Sequence, residues 1–595
     1  MRLEFNFENV RAYVNADNEA ISVKVTPRVE GKIFYFDFVL DTTEDKFSEV
    51  VIDLRFPFND MHSLWLPSLL PNAKNIRAKG ILELEYNMCS HIASLAPVGS
   101  FFSLEGNNKI AFAFSDCKNI VVTHPGAYEE EEVARIMMKL FTSPLEQCTH
   151  YEATLRMDLR DLPFYKTVKD IASWYEKDLG ISAMPVPDCA REAVYSTWYA
   201  FLQNITDAKI EEHCKYAVEA GCKTVIVDDG WQTDDNNRGY AYCGDWKVTP
   251  KRFPDYKAHV KKVHEMGLKF MLWLSVPFVG PFAKNIEEYK DVALLYKARW
   301  NTYVLDPRYK KARDFLVNTY VNLVKDYDLD GLKLDFIDEF DMRQADEHAL
   351  AFDAKRDTQS LPEGVDMLMM EVRNRLSEIK PDIMIEFRQN YIGPMIRKYG
   401  NMFRAHDCPN DIFMNRMTII DLRLLSGNTA VHSDMTIWSP SDSDESVALN
   451  FINTLYSVPQ ISPNFTHLPK SQLTLTKFWL KFWKEHQKTL LDGELSAFYP
   501  ESQYSLISAL LDGECIKTVG EKLVVDIFDE DYKKLFVING AMATTMVLRF
   551  KKSGAFHVEI TDCTGNQGDA YDKDFTEGLA EIAVPKSGII TLTIK

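Results

Sequence analysis

At 595 residues, 46% hydrophobic and 26% charged, the chain has the composition of a globular protein too long for one ordinary domain, so two to three domains are expected. A formal net charge of -19, with no basic stretch to offset it, argues against nucleic acid or an anionic membrane as partner and favours a neutral or cationic small ligand. The ten cysteines are scattered without a CxxC pair, which suits reduced thiols and offers no zinc-ligand spacing, so neither cofactor nor metal is expected. The start, MRLEFNFENV, lacks the apolar core of a secretory signal and no apolar run approaches a membrane span; a cytoplasmic protein is the expectation, with a homo-oligomer left open.

From Met1 to about residue 165, short alternating runs (Ala20 to Val25, Ile33 to Val39, Val50 to Leu54, Ile110 to Phe114, Tyr151 to Leu155) separated by turn residues predict a β-sandwich. Trp65, in the loop HSLWLP, reads as a hydrophobic edge before it reads as a sugar platform. Residues 166–189 hold a linking helix over Lys166 to Leu179 and the proline-containing linker ISAMPVPDCA.

Between residues 190 and 495 apolar strands alternate with amphipathic helices. The strands expected are Val194 to Trp198, Thr224 to Val227, Lys269 to Leu274, Gly331 to Phe336, Asp382 to Phe387, Met402 to His406, Ala430 to Ser433 and Pro459 to Ser462. Eight strands over this length predict a (β/α)8 TIM barrel. After Leu491 alternation returns (Tyr504 to Leu510, Leu523 to Phe528, Leu535 to Asn539, Thr545 to Phe550, Ile589 to Ile594), predicting an antiparallel β-domain over residues 496–595. The fold class is thus multidomain α/β, a barrel between two β-domains.

The stretch DLDGLKLDFIDEF, Asp328 to Phe340, carries Lys333 and Asp335 inside an apolar run, two apart and so on one face of a strand. Charges do not enter a buried strand without a partner or a use, and a structural ion pair at the strand end is the plain alternative. In a barrel, chemistry lies at the C-terminal ends of the strands. Strand two ends in Asp228, Asp229, Gly230 and Trp231, strand three near Trp273, and strand five in Glu386 and Arg388; strand six ends in Arg404, His406 and Asp407, and strand seven in His432 and Asp434. Carboxylates for sugar hydroxyls, indole faces and one carboxylate pair are what glycoside chemistry needs. Each has a dull reading alone: Asp228 or Asp229 as a helix cap, Trp231, Trp246 and Trp273 as core, Arg404 neutralising Asp407.

With those residues in view the chain resembles glycoside hydrolase family 36, the melibiase-like α-galactosidase clan. VIVDDGW, then GDW with RFPD, then VHEMGLKFMLW follow in the family's order, and KLDF stands where the family has Lys-Trp-Asp. The resemblance implies Asp335 as nucleophile, Lys333 as a substrate contact, and Asp228 and Asp229 as the pair holding sugar hydroxyls; Trp231, Trp273, Arg388 and Arg404 complete the expected binding set. In place of the family's Ser-Asp-x-Thr-Asp the chain has FRAHDCPNDIFMNR, where position directly after strand six selects Asp407 as acid/base, with Asp411 the alternative. EFRQNYIGP and SVPFVG also depart from the family's pocket loops, so galactose is only the default glycone. The expected activity is retaining α-galactoside hydrolysis on a small carbohydrate, with an α-N-acetylgalactosaminidase or a transglycosylase as alternatives. Asp335 is expected to lie exposed at its strand end, and its charge to keep Asp407 protonated. From other classes, a metal-dependent lyase using Asp335, Glu386 and Asp407, and a non-catalytic sugar-binding relative, stay in view.

Overall fold

The computed structural model describes residues 2–67, 88–143, 148–237, 239–388 and 391–595. Two six-stranded sheets form the N-terminal sandwich. One runs, in spatial order, Arg2–Glu4, Arg11–Ala16, Val50–Pro57, Val133–Leu140, Val121–Tyr128 and Met88–Ser90; the other runs Ile21–Glu30, Ile33–Thr42, His150–Asp158, Asn108–Phe114, Val98–Phe102 and Ser63–Trp65. Alternation decides the packing. Phe34, Phe36, Phe38 and Leu40 point into the sandwich core with Ile52, Leu54 and Phe112, whereas Tyr35, Ala111 and Ala113, one residue out of phase, join the core shared with the barrel.

The barrel strands are β1 (Val194–Ser196), β2 (Thr224–Val227), β3 (Lys269–Ser275), β4 (Gly331–Asp335), β5 (Met384–Arg388), β6 (Met402–Arg404), β7 (Ala430–His432) and β8 (Gln460–Ile461). They pair in parallel in sequence order, β8 returns to β1 through Val194 and Gln460, and a parallel bridge from His432 to Val458 joins the two ends of the sheet. Every expected barrel strand is present.

One helix of the expected alternation is missing. Helix α1 (Phe164–Lys177) precedes the barrel; α2 (Asp207–Ala220), α3 (Tyr256–Glu265), α4 (Lys310–Tyr327) and α5 (Leu361–Ile379) follow the first four strands, and α6 (Ile412–Leu425), α7 (Asp444–Thr454) and α8 (Lys470–Glu485) the last three. Between β5 and β6 the described residues hold only a 3-10 turn, Ile396–Lys398, because the crossover is short and broken by Gly393, Pro394 and Gly400. A Cβ on Gly393 would sit 2.3 Å from the carbonyl of Leu95, so only glycine lets the sandwich approach this closely. Phe164, Tyr165, Val168, Ile171, Ala172 and Tyr175 of the linking helix recur at helical spacing and bury α1 between the sandwich and α6, and Arg397 of the crossover donates to the carbonyl of Ala172 at 3.1 Å.

The C-terminal domain stacks a seven-stranded sheet on the three strands Val524–Ile527, Thr545–Phe550 and Gly578–Ala583. It is mostly antiparallel. Two pairs, Glu514–Val519 with Lys534–Asn539 and Val524–Ile527 with Thr545–Phe550, are parallel, a feature that alternation alone cannot reveal. Trp65 ties all three domains together: it is fully buried, and its Nε1 donates to Asp421 of α6 at 2.9 Å and to the hydroxyl of Tyr504 at 3.0 Å. It is neither an edge nor a sugar platform.

Candidate active site

The lumen is layered. Val194, Ile226, Met271, Met384, Met402 and Ala430, near the strand starts, form an apolar plug at the N-terminal end. Two residues further along the same strands stand Ser196, Asp228, Trp273, Glu386, Arg404 and His432, with Lys333 two residues after Gly331. The period of a strand thus converts a greasy floor into a polar second layer within one step.

Every charge in that layer has a partner. Lys333 Nζ donates to Asp228 Oδ2 at 2.6 Å, and Asp228 accepts the amide of Asp229 at 2.9 Å. Gln460 Nε2 donates to Glu386 Oε2 at 2.5 Å and reaches His432 Nδ1 at 3.2 Å, so His432, with Nε2 2.8 Å from the carbonyl of Ala190, carries its proton on Nε2. Burial pushes His432 down to about 4, keeping it neutral.

Asp335 closes the top of β4. Its Oδ2 accepts the indole N–H of Trp273 at 2.9 Å; its Oδ1 accepts the amide of Phe336 at 2.8 Å and a short hydrogen bond from Arg388 Nε. Phe336 takes a left-handed φ of 64°, turning the chain back so that its amide faces the carboxylate. Asp335 is 3% exposed, contrary to the expected exposed strand end, because the guanidinium of Arg388 and the indole of Trp273 cover it.

Asp229 faces Gln203 and Gln232, whose amide nitrogens each donate to it at 2.7 Å. Burial raises its carboxyl to about 7, against the two glutamine bonds that lower it, with Asp228 adding to the rise. Gly230, φ +118°, lies on the backbone of Gln203, where a Cβ would meet its Cα at 2.7 Å. Arg252 of RFPD clamps the same two segments, donating to the carbonyls of Gln203 and, at 3.0 Å, Gly230. Gln203 and Gln232 were not legible beforehand, since uncharged amides in loops carry no pattern.

Asp407 sits just past β6, its side chain 37% exposed. Arg388 Nη1 donates to its Oδ2 at 3.1 Å and Arg404 makes a short bond to its Oδ1. Burial pushes its pKa up, but the guanidinium charges of Arg388 and Arg404, with Lys333 behind them, hold it well below the usual carboxylate range. The expectation that Asp335 keeps Asp407 protonated is therefore reversed: two arginines are paired directly with Asp407, and their charges outweigh that of the negative neighbour. Arg404 also pairs with fully buried Asp434, which accepts the hydroxyl of Tyr199 at 2.9 Å and the amide of Cys408 at 2.7 Å; burial raises its pKa.

The structure brings Asp228, Asp229, Trp273, Lys333, Asp335, Arg388, Arg404 and Asp407 into one connected cluster. It leaves out two expected residues. Trp231 is fully buried, its Nε1 bonded to the carbonyl of Trp273 at 2.9 Å and its ring stacked on Trp246 at 6.0 Å, so no face of it meets a ligand. Asp411 caps α6, accepting the amide of Met414 at 2.9 Å, which is a structural task. Gln389 and Asn390 of the EFRQNYIGP stretch lie outside the described residues.

Residues 182–386 match the family model described as Melibiase. Alpha-galactosidase 1 of Pediococcus pentosaceus is 28% identical over 204 residues, 33% of this chain and 27% of that protein. Alpha-galactosidase Mel36A of Lactobacillus acidophilus is 30% identical over 210 residues, again 33% and 27%. The matched stretch thus spans about a quarter of the length of these curated relatives. Among solved structures, the GH36 alpha-galactosidase AgaA of Geobacillus stearothermophilus superposes with a TM-score of 0.66 at 15% identity, over 99% of this chain and 83% of that one. A GH31 family sulfoquinovosidase from E. rectale also superposes, TM-score 0.60 at 10% identity over 100% and 88%, so this fold by itself selects no glycone. A stretch similar to the Melibiase family model, across the first four barrel strands and into the fifth, thus sits in a chain whose fold is similar from end to end to that of solved GH36 alpha-galactosidases.

Proposed function

We propose that the chain is a retaining α-glycoside hydrolase, acting on α-galactosides by double displacement, with Asp335 as nucleophile and Asp407 as acid/base. The observation that supports this most is the bridging of Asp335 and Asp407 by one guanidinium, that of Arg388, at the C-terminal mouth of a melibiase-like barrel. One guanidinium thus joins the two carboxylates that a double displacement requires.

In the reaction, Asp335 Oδ attacks the anomeric carbon as the bond to the leaving oxygen breaks, and Asp407 delivers its proton to that oxygen. Asp407 then deprotonates the water that opens the glycosyl ester, returning the sugar with its starting configuration and Asp335 as carboxylate. Trp273 N–H and the Phe336 amide hold Asp335 in place, and Asp228 and Asp229, oriented by Lys333, Gln203 and Gln232, take the sugar hydroxyls. A sugar seated between the carboxylates must displace Arg388 from Asp407; loss of that positive partner raises the proton affinity of Asp407 when it has to act as an acid.

The test is turnover of a panel of aryl α-glycosides differing at C2 and C4. Hydrolysis of the α-galactoside, lost in Asp335→Asn, supports the reading; turnover that persists in that variant removes the nucleophile assignment. A second reading, a sugar-binding relative without chemistry, draws on the two arginines that keep Asp407 ionised at rest. Saturable galactose binding with no turnover of any member of the panel would favour it.

A further inference from the structure

On the opposite, N-terminal side of the barrel from Asp335, a cavity of about 220 Å³ opens where α1, the α6–β7 turn and the short helix α9 (Gln487–Asp492) meet. Its charged lining is Lys169, Arg191, Arg423 and Asp492. Three cations face one carboxylate. Arg191 Nη1 is paired with Asp492 at 2.5 Å, and Arg423 donates to the carbonyls of Tyr456 at 3.0 Å, Leu490 and, at 2.7 Å, Leu491, so these two have structural tasks.

Lys169 has none. Among the described residues it makes no hydrogen bond or ion pair; Glu494, the acid whose charge acts on it most, is engaged by Lys166 at 3.0 Å. Burial and the charge of Arg423 push its ammonium below its ordinary pKa, as expected of a cation whose counter-ion is missing. A second, independent observation lies across the cavity: Ser426, which lines it, has a buried hydroxyl oxygen with no hydrogen-bond partner. The amides of Gly427 and Asn428, in the turn that Thr429 closes back toward Ser426, donate to no acceptor among the described residues. Cations, a hydroxyl and consecutive free amides around a space of this size are the donor set that an oxyanion needs.

We propose that this cavity binds a small oxyanion of the phosphate class, free or as a monoester, between Lys169, Arg191 and the Ser426 to Thr429 turn. The excess of two positive charges in the lining matches a phosphate dianion, and the volume admits a phosphate with a small organic group. The ligand would pin the linking helix to the barrel and to Asp492 at the threshold of the C-terminal domain. This proposal is independent of the catalytic assignment, since none of its residues touches Asp335 or Asp407.

The experiment is isothermal titration of the full chain with sodium phosphate, against sodium chloride at matched ionic strength. One saturable site is expected for phosphate and none for chloride. Lys169→Gln should weaken phosphate binding at least tenfold, Ser426→Ala several-fold, and Lys169→Arg should retain it. Because Lys169 holds no structural bond, Lys169→Gln should keep the wild-type circular dichroism and melting temperature without phosphate. Titration with glycerol 3-phosphate separates the two sources: tighter binding than phosphate assigns a monoester site, weaker binding a site for free phosphate. Absence of saturable phosphate binding, or equal affinity in wild type and Lys169→Gln, overturns the proposal.

Discussion

Arg388 Nη1 donates to Asp407 Oδ2 at 3.1 Å, and it does so from a guanidinium whose Nε is already bonded to Asp335. The space between the two carboxylates is therefore filled by a cation at rest. Removing that cation is the most informative single change. In Arg388→Met, Asp407 loses the largest of the positive charges acting on it, so its pKa rises toward the ordinary carboxylate value. The acid must be protonated to act, and activity falls as pH rises through its pKa; the alkaline limb of kcat/KM for an unactivated α-galactoside should therefore move to higher pH. A limb that stays where it is in wild type would separate Arg388 from the acid.

Asp335→Asn should lower kcat by a factor on the order of 10^4 or more, since the amide cannot form the glycosyl ester. Stability is a separate matter, because Asp335 is buried and paired. Asp335→Ala should destabilise the protein by roughly 3–5 kcal/mol by leaving Arg388 without one of its two partners. Denaturant titration of both variants checks this, with Asn expected to lose less than Ala.

Asp407→Ala should be far more damaging with a poor leaving group than with a nitrophenolate, which departs without a proton. The first-formed sugar, followed by NMR, should be the α-anomer. Equal damage with both leaving groups, or a β-anomer as first product, contradicts the double-displacement reading.

Asp229 predicts a pH dependence of stability. Burial raises its folded pKa to about 7 from 3.8, so the fold favours the protonated form. The stability this contributes is complete below about pH 4 and is lost as pH rises through about 7, an effect of about 4 kcal/mol by linkage. Asp229→Asn, with Gln203 or Gln232 flipped to accept its N–H, should flatten that decline between pH 4 and 7 while weakening kcat/KM for galactosides. A decline as steep as in wild type would place its cause elsewhere.

Trp65→Phe keeps the ring but removes the N–H that reaches Asp421 and Tyr504. Tyr504 still donates to Asp421 at 2.6 Å, so the loss should be about 1–3 kcal/mol, read as a lower denaturation midpoint with activity per folded molecule unchanged.

The sequence by itself determined the eight barrel strands, the order of the layers and the identity of the charges at the strand ends. Those properties follow from local rules: a period of two places Lys333 and Asp335 on one face, and Gly230 marks a turn after a strand whatever surrounds it. The cap at Asp411 was also within local reach, three residues before Met414. Tertiary structure alone decided who meets whom. Arg388 ends β5 and Asp407 lies just past the neighbouring β6, but no local pattern states which carboxylate a side chain will bond, so whether the arginine would face substrate or the catalytic pair was open until the fold placed them. Trp231 looks like a sugar platform in VIVDDGW and is sealed by Trp246 and the carbonyl of Trp273, which come from a later loop and from β3. The linking helix α1 is buried between the sandwich strands Val98–Phe102 and Asn108–Phe114 and helix α6, a placement that its own periodicity does not state. Pairing, burial and proton affinity depend on residues tens to hundreds of positions apart, and periodicity carries no information about them.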